Sequence, residues 1–235
     1  MSEAKEFYKL GLSSISNKKY GQAIKEFEEC LKIDPGHADA HLCLGVAFWN
    51  LGFAKEAVKE YKDAIRLNYL NGKAHFNLGV VYHRTGRIKE AISEYEDAIR
   101  IDSSDLNAHF NLGSAYSRQG NFEEEMSEYQ KILDINPTYP NARFGVANAY
   151  RKMGRYAEAR DEYEKAIKIN PNHADVHFNL GVAHELLDDG QNALYSTAKA
   201  EQLYKTQGKK ERSKSTANRL LELSEKFGLK PEDLH

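Results

Sequence analysis

The hexapeptide Ala-His-Phe-Asn-Leu-Gly occupies residues 74–79 and recurs at 108–113, and Val-His-Phe-Asn-Leu-Gly follows at 176–181. The Leu-Gly pair also occurs at 10–11 and 44–45. The spacing is 34 residues or a multiple of 34, a period that predicts helical hairpins stacked into a solenoid. Because a solenoid offers a long surface rather than one enclosed pocket, the repeat indicates a protein that binds another chain.

Composition and charge exclude several classes of protein. The formal net charge of −2 argues against a dedicated nucleic-acid binder, which usually has a clear basic excess. No stretch approaches the roughly 18 apolar residues that membrane insertion requires. The N-terminus, from Met1 to Glu6, lacks the apolar core of a signal peptide. Cys30 and Cys43 are too few for a disulfide framework, so reduced thiols and a cytoplasmic location are expected.

Six units align from residue 4 to residue 207, namely 4–37, 38–71, 72–105, 106–139, 140–173 and 174–207. With each unit numbered 1 to 34, positions 8 and 20 are mostly Gly or Ala, and positions 11 and 24 are mostly aromatic. Small residues let two helices approach while aromatic rings fill the space beside them. Glycine near position 15 predicts a turn, and proline at position 32 is expected to stop the second helix. The turn glycines and these prolines are Gly52, Gly86, Gly120, Gly154, Pro35, Pro137 and Pro171.

This pattern resembles the tetratricopeptide repeat (TPR) family, over residues 4–207. The resemblance implies an all-α, right-handed superhelical solenoid of six helix-turn-helix repeats. The outer repeats depart from the pattern, with Lys18 and Asp188 replacing the turn glycine. Residues 208–235 are expected to hold a C-terminal capping helix over roughly 209–227, ended by Gly228. A helix that binds a partner is the alternative for that segment.

A binding face is predicted on the first helix of each repeat. Positions 2, 6, 9 and 13 lie opposite the packed positions, and in the TPR family the first helices line the concave surface. This stripe carries six basic residues (Lys5, Lys9, Lys73, Arg84, Arg118 and Lys152) and two acidic ones (Asp39 and Asp175). A basic stripe on an acidic chain favours an acidic ligand.

Asparagine recurs on the same stripe. Asn77, Asn111 and Asn179 share position 6, and an amide can pair with the backbone of an extended peptide. TPR superhelices such as that of the O-linked N-acetylglucosamine transferases resemble this in carrying an asparagine ladder. The candidate peptide-binding residues are Lys73, Asn77, Arg84, Asn107, Asn111, Arg118, Asn141, Asn148, Lys152 and Asn179. The alternative is a merely solvated face on which Arg at position 13 caps helix carbonyls.

Two other positions of the first helices, 4 and 5, also carry recurrent residues. The resemblance implies that a chaperone-tail clamp needs Lys at position 5, but that position is always Tyr, Leu or Phe, so such clamping is not expected. The phenylalanines are expected to pack between repeats rather than stack on a ligand. Histidine at position 4 (His41, His75, His109 and His177) is explained by the repeat. The pairs His37/His41 and His173/His177 lack an evident third ligand, so no metal site is predicted.

The sequence therefore predicts a non-enzymatic interaction module that holds an extended, acidic segment of a partner protein. It contains no phosphate-binding loop, nucleophile elbow or HExxH helix, and no cofactor is expected. Binding to nucleic acid is not expected, and neither is insertion into a membrane. The alternative is a self-assembling scaffold, a homo-oligomer formed through the terminal repeats.

Overall fold

The computed structural model describes residues 3–229, which form thirteen α-helices and no strand. The helices are α1 Glu3–Ser16, α2 Tyr20–Ile33, α3 Ala38–Asn50, α4 Ala54–Leu67, α5 Gly72–Arg84, α6 Ile88–Ile101, α7 Leu106–Gln119, α8 Phe122–Ile135, α9 Pro140–Lys152, α10 Tyr156–Ile169, α11 Ala174–Leu186, α12 Gly190–Thr206 and α13 Lys210–Phe227. The all-α class and the succession of helix-turn-helix repeats are confirmed.

The chain divides into two compact units. Unit 1 spans residues 1–119 and contains α1 to α7, and unit 2 spans residues 120–235 and contains α8 to α13. Within each unit, every helix packs against the next helix along the chain. In unit 1 the odd-numbered helices α1, α3, α5 and α7 are also neighbours in that order. The first helices of successive repeats therefore lie side by side.

A glycine on the first helix meets an aromatic ring on the second in the best-formed hairpins. A Cβ atom placed on Gly79 would lie 2.7 Å from the ring of Tyr95, and one on Gly45 would lie 2.6 Å from Tyr61. Both rings are buried, with at most 1% of their surface exposed. The ring at position 24 thus lies against the backbone at position 8, which is a closer contact than the side-by-side filling expected from the sequence.

The turn between the two helices of a repeat requires a left-handed residue. Gly86 has a φ of 83°, and the other predicted turn glycines have similar values. Lys18 and Asp188 occupy the same position in the outer repeats with φ of 57° and 60°. A side chain in this conformation costs roughly 1–2 kcal/mol relative to glycine. The outer repeats therefore keep the turn geometry although they lack its preferred residue.

The second helices end at an Asx turn, which is present whether or not a proline follows. Helices α4 and α6 end at Leu67 and Ile101 although no proline follows them. The Asn68 side-chain oxygen accepts from the Leu70 amide at 3.2 Å, and Asp102 accepts from Ser104 at 3.0 Å. Such a bond offers the backbone an alternative to the helix. The equivalent residues Asp34, Asn136 and Asn170 make the same contact.

Two phenylalanines at position 5 contact the ring at position 24 of their own repeat. The ring of Phe76 lies 5.9 Å from Tyr95, and that of Phe144 lies 6.0 Å from Tyr163, measured between centroids. In each pair both residues belong to one repeat. These contacts extend the aromatic core of the hairpin toward the first-helix surface.

Helix α13 covers one side of α12. Its residues Leu220, Leu223 and Phe227 pack with Ala193 and Leu194 of α12. Gly228 ends the helix in a left-handed conformation with φ of 65°. The bounds match the helix predicted over roughly 209–227. Residues 230–235 of the predicted C-terminal segment lie outside the described residues.

The glycine–ring contact generates a stability prediction. We expect Gly79→Ala to destabilise the protein by about 1–3 kcal/mol, because the new methyl group would overlap the buried ring of Tyr95. Gly21→Ala is the matched control, since no atom lies within 4 Å of its added Cβ. That change should instead stabilise α2 by about 0.5–1 kcal/mol. Urea unfolding followed by circular dichroism measures both, and equal effects of the two changes would contradict the packing described.

Candidate functional site

The predicted binding residues are divided between the two units. Lys73, Asn77 and Arg84 lie on α5, and Asn107, Asn111 and Arg118 lie on α7, all in unit 1. Asn141, Asn148 and Lys152 lie on α9, and Asn179 lies on α11, in unit 2. We call positions 2, 6, 9 and 13 of α1, α3, α5 and α7 the unit 1 face. The same positions of α9 and α11 form the unit 2 face.

An open cavity of about 550 Å³ lies on the unit 1 face. Its apolar wall is formed by Tyr8, Leu12, Ile15, Leu42, Cys43, Val46 and Phe76, and its polar rim by Asp39, Asn71, Lys73 and Asn77. Two of the candidate residues, Lys73 and Asn77, therefore border an apolar depression. Tyr8, Leu42 and Phe76, all at position 5, also line the cavity, although the sequence favoured packing over ligand contact for that position.

Burial controls the chemistry of this cavity. It raises the pKa of the Cys43 thiol and is also the largest cause that raises the pKa of Tyr8. Both groups are therefore neutral at physiological pH, and a thiolate nucleophile is not favoured. Cys30 and Cys43 are both free cysteines, in agreement with the sequence. The cavity is suited to binding apolar groups rather than to covalent chemistry.

The basic residues at position 13 contact the preceding repeat. The Arg84 guanidinium lies 5.1 Å from the centre of the Trp49 ring, a cation–π geometry. Arg118 donates from Nη1 to the carbonyl of His83 at 3.1 Å, near the C-terminus of α5. This agrees with the capping alternative, although the capped helix belongs to the preceding repeat. Both side chains are nevertheless exposed on the unit 1 face.

Two of the asparagines at position 6 donate a hydrogen bond to a backbone carbonyl of their own helix. Asn111 donates from its side-chain nitrogen to the carbonyl of Asn107 at 2.9 Å, and Asn179 donates to the carbonyl of Asp175 at 2.8 Å. Each amide thus uses one of its two N–H groups on its own helix. The second N–H group and the carbonyl oxygen of each side chain can still form hydrogen bonds.

On the unit 2 face, two side chains that the sequence assigned to ligand binding instead contact other residues of unit 2. The Lys152 ammonium lies 2.9 Å from both carboxylate oxygens of Glu125, whose side chain is almost fully buried. Asn148 accepts a hydrogen bond from the Tyr163 hydroxyl at 2.6 Å. Gly145, which was assigned to the free face, instead packs against the ring of Tyr129 and is buried.

The acidic residues of α11 are paired with α13. Asp175 forms an ion pair with Arg212 and accepts from the Tyr204 hydroxyl at 2.8 Å. Glu185 pairs with Arg219 and, at 3.1 Å, with Lys226. Both charged members of the unit 2 face, Lys152 and Asp175, therefore have a partner of opposite charge. The unit 1 face has five basic residues and one acidic residue, a formal excess of four positive charges.

Family models for tetratricopeptide repeats match residues 11–52 and 147–188, 44–106, 106–139 and 128–161. Together these matches extend without a gap from residue 11 to residue 188. The chain belongs to the TPR family. TPR arrays are scaffolds for protein–protein interaction, and they typically have no enzymatic activity of their own. Among curated protein sequences, none matches the chain.

Solved TPR structures resemble most of the chain. MamA is 23% identical, with 73% of this chain and 94% of MamA covered and a TM-score of 0.68. YrrB, described as a TPR protein with an unusual peptide-binding site, is 21% identical, with 75% and 91% covered and a TM-score of 0.67. PilF of Pseudomonas aeruginosa is 21% identical, with 92% and 97% covered and a TM-score of 0.72. At these identities the likeness establishes the fold.

The residue at position 4 of the TPR repeat links three segments of the chain. Arg143 donates to Glu162 at 2.8 Å and to the Pro137 carbonyl at 3.4 Å. His41 lies in the same way between Glu60, at 2.6 Å, and the Pro35 carbonyl, at 3.4 Å. The hydrogen bond to Glu60 is the largest cause that raises the pKa of His41. Position 4 thus ties the preceding turn to both helices of its own repeat.

Acidic residues accompany two of the position 4 histidines. His41 lies with Glu60 and Asp63, and His75 lies with Glu94 and Asp97. The ligand atoms of each group lie within 4.8 Å of one another. The sequence indicated no third ligand, because the spacing of the histidines was compared only within the first helix. Both carboxylates of each group lie on the second helix of the repeat.

No helix within residues 3–229 is long and apolar enough to cross a membrane.

The ion pair of the TPR unit 2 face gives a second prediction. We expect Lys152→Met to destabilise the protein by about 2 kcal/mol, because Glu125 would remain buried without its cation. Lys165→Met is the control, since Lys165 is about half exposed and its partner Glu162 keeps Arg143. The control should lose under about 1 kcal/mol. Chemical unfolding compares the stabilities of the two variants. A Lys152 variant as stable as the wild type would contradict the stabilising role of this ion pair and favour a role of Lys152 in ligand binding.

Proposed function

We propose that this TPR protein is a non-enzymatic scaffold whose unit 1 face binds an extended, acidic segment of a partner protein. The observation that carries the proposal is the concentration of positive charge beside an apolar cavity. Five basic residues and one acidic residue lie on the unit 1 face, and Lys73 is at the cavity rim. The rest of the chain is acidic, since the formal net charge is −2. An acidic segment would therefore be attracted to this face in preference to others.

The cavity supplies the second element of recognition. Its wall is built by apolar side chains from α1, α3 and α5, so a large apolar side chain of the ligand would be removed from water there. Burying such a side chain contributes roughly 1.5–3 kcal/mol. Charge alone gives fast encounter but little discrimination, whereas an apolar anchor fixes the register of a bound peptide. The preferred ligand accordingly combines acidic residues with a large apolar residue.

The asparagines would hold the ligand backbone. Asn77 is at the cavity rim and Asn111 occupies the equivalent position on the next first helix. An amide side chain offers both donors and an acceptor, which suits the exposed N–H and C=O groups of an extended peptide. YrrB, a structural neighbour, is described as having a peptide-binding site, which supports a peptide as the class of ligand.

The unit 2 residues of the original set contribute less in this proposal. Lys152 and Asn148 are engaged with Glu125 and Tyr163, so a ligand would have to break these contacts. Asn141 and Asn179 remain candidates for backbone contacts. The competing function is self-assembly through the terminal repeats. At the C-terminal end, helix α13 disfavours it, because that helix already covers the apolar side of α12.

Charge reversal tests the proposal. Peptides would first be selected on the full-length protein from a displayed random library, and the best sequence synthesised and labelled. We expect selected peptides to be rich in Asp and Glu and to share a large apolar residue. The double change Arg84→Glu and Arg118→Glu should weaken binding at least about tenfold, equivalent to about 1.4 kcal/mol, in fluorescence anisotropy.

A matched control separates this face from total charge. Lys62→Glu with Lys89→Glu makes the same change in net charge on exposed residues of the second helices α4 and α6. This variant should bind within about threefold of the wild type, because exposed charges far from the site are screened by salt. Equal weakening by both variants, or selected peptides without acidic enrichment, would refute the proposal. Sedimentation of the unliganded protein tests self-assembly, which predicts oligomers whose size grows with concentration.

A further inference from the structure

We propose that unit 1 contains a binding site for a divalent transition metal ion, with zinc as the best fit, formed by His75, Glu94 and Asp97. The three residues come from the two helices of one repeat: His75 is on α5, and Glu94 and Asp97 are three residues apart on α6. Residues at this spacing share a helix face, so both carboxylates point toward the same neighbour. Metal sites in helical bundles are assembled from facing helices in this way.

The distances suit a small ion. The Nδ1 atom of His75 lies 2.8 Å from an oxygen of Glu94 and 3.8 Å from an oxygen of Asp97. Zinc bonds of 2.0–2.2 Å in a tetrahedral arrangement place neighbouring ligand atoms roughly 3.3 Å apart. The observed separations fall on either side of that value, so side-chain shifts of under about 1 Å would form the site. The imidazole is buried, while the two carboxylate side chains are about one-fifth exposed, which leaves a route for the ion.

The surroundings of His75 orient it as a ligand. Its Nδ1 atom lies 2.8 Å from Glu94 and its Nε2 atom lies 3.2 Å from the carbonyl oxygen of Tyr69. A bound ion would take the place of the proton between Nδ1 and Glu94, while Nε2–H donates to the carbonyl. Metal-bound histidines usually donate their other ring N–H to a carbonyl or carboxylate in this manner. The Tyr69 ring also packs edge-on against the imidazole, and its hydroxyl lies 3.5 Å from Asp97. A neutral imidazole with two carboxylates carries two negative charges, which one divalent ion balances.

A comparison with other repeats indicates that the hairpin can pack without a histidine and two carboxylates at these positions. Positions 4, 23 and 26 are His109, Glu128 and Lys131 in the fourth repeat and Arg143, Glu162 and Lys165 in the fifth. In both, a lysine replaces the second carboxylate. Arg143 and Glu162 form a direct ion pair at 2.8 Å, so a permanent cation satisfies the structural role there. Only the second and third repeats combine an imidazole with two carboxylates at these positions.

The equivalent group in the second repeat should bind more weakly. His41, Glu60 and Asp63 have the same arrangement, but Lys59 lies 2.7 Å from Glu60 and 3.5 Å from Asp63 and competes with an ion. The third repeat has Ser93 where Lys59 stands. Arg100 does pair with Asp97, but its side chain is 65% exposed and can move into solvent when a metal binds. The structure therefore assigns the tighter site to His75.

Metal titration of the full-length, tag-free protein tests this inference. Competition with a chromophoric chelator would measure zinc affinity, and the absorption spectrum with Co²⁺ would report the ligand geometry. We expect a micromolar or tighter zinc site, four-coordinate cobalt bands, and negligible competition by Mg²⁺ or Ca²⁺. Zinc should also raise the midpoint of thermal unfolding, because the ion binds only the folded site.

Three variants make the test specific. Glu94→Gln and Asp97→Asn keep the shape of the site but remove a ligand charge, and each should weaken the tighter zinc site by at least about 10-fold. His109→Ala removes the matched histidine of the fourth repeat and should leave that affinity unchanged. The absence of zinc binding at micromolar concentrations, or zinc binding that survives Glu94→Gln and Asp97→Asn, would overturn the proposal. Equal losses in His109→Ala and Asp97→Asn would do the same, since they would indicate non-specific histidine binding.

Discussion

The hairpins of the first three repeats depend on one contact, in which a buried aromatic ring at position 24 lies against a glycine at position 8. Gly79 and Tyr95 show it most simply, because any side chain on the glycine would occupy the space of the ring. The contact fixes which side of the first helix faces the second helix. In unit 1, positions 2, 6, 9 and 13 are consequently turned away from the hairpin core, and the neighbouring first helices α1, α3, α5 and α7 bring them onto one face. The proposed binding surface is thus a consequence of how each hairpin packs.

The two units use polar residues at these positions differently. In unit 2, Lys152 neutralises a buried glutamate, and α13 supplies cations to Asp175 and Glu185. These ion pairs contribute to the stability of the unit. Because the charges are neutralised by their partners, they would attract a ligand only weakly. In unit 1, Arg84 and Arg118 contact the preceding repeat through a ring and a carbonyl, neither of which carries a charge. Their positive charge is therefore not neutralised by these contacts, as the proposed binding of an acidic segment requires.

The sequence predicted the hairpins well, because period, turn glycines and the α13 helix are all local signals. Gly228 even marked the end of α13 correctly. The site was harder, because face assignment by helical spacing assumes that a side chain points straight outward. Lys152 reaches back to Glu125, and His75 meets carboxylates 19 and 22 residues later on the next helix, so neither contact follows from one helix alone. The recurrent Asp or Asn at position 31 is visible in the sequence, but proline alone was expected to end the second helix, and the Asx turn was not predicted.

The central claim, that the unit 1 face contacts the ligand, is tested most directly by nuclear magnetic resonance of the isotope-labelled full chain titrated with a selected acidic peptide. The account predicts that the largest shifts occur in the side-chain amides of Asn77 and Asn111 and in residues lining the cavity, including Leu42 and Phe76. The backbone of α4 and α6 on their outer sides should change little. Shifts confined to α9, α11 or α13, with the cavity resonances unmoved, would contradict it.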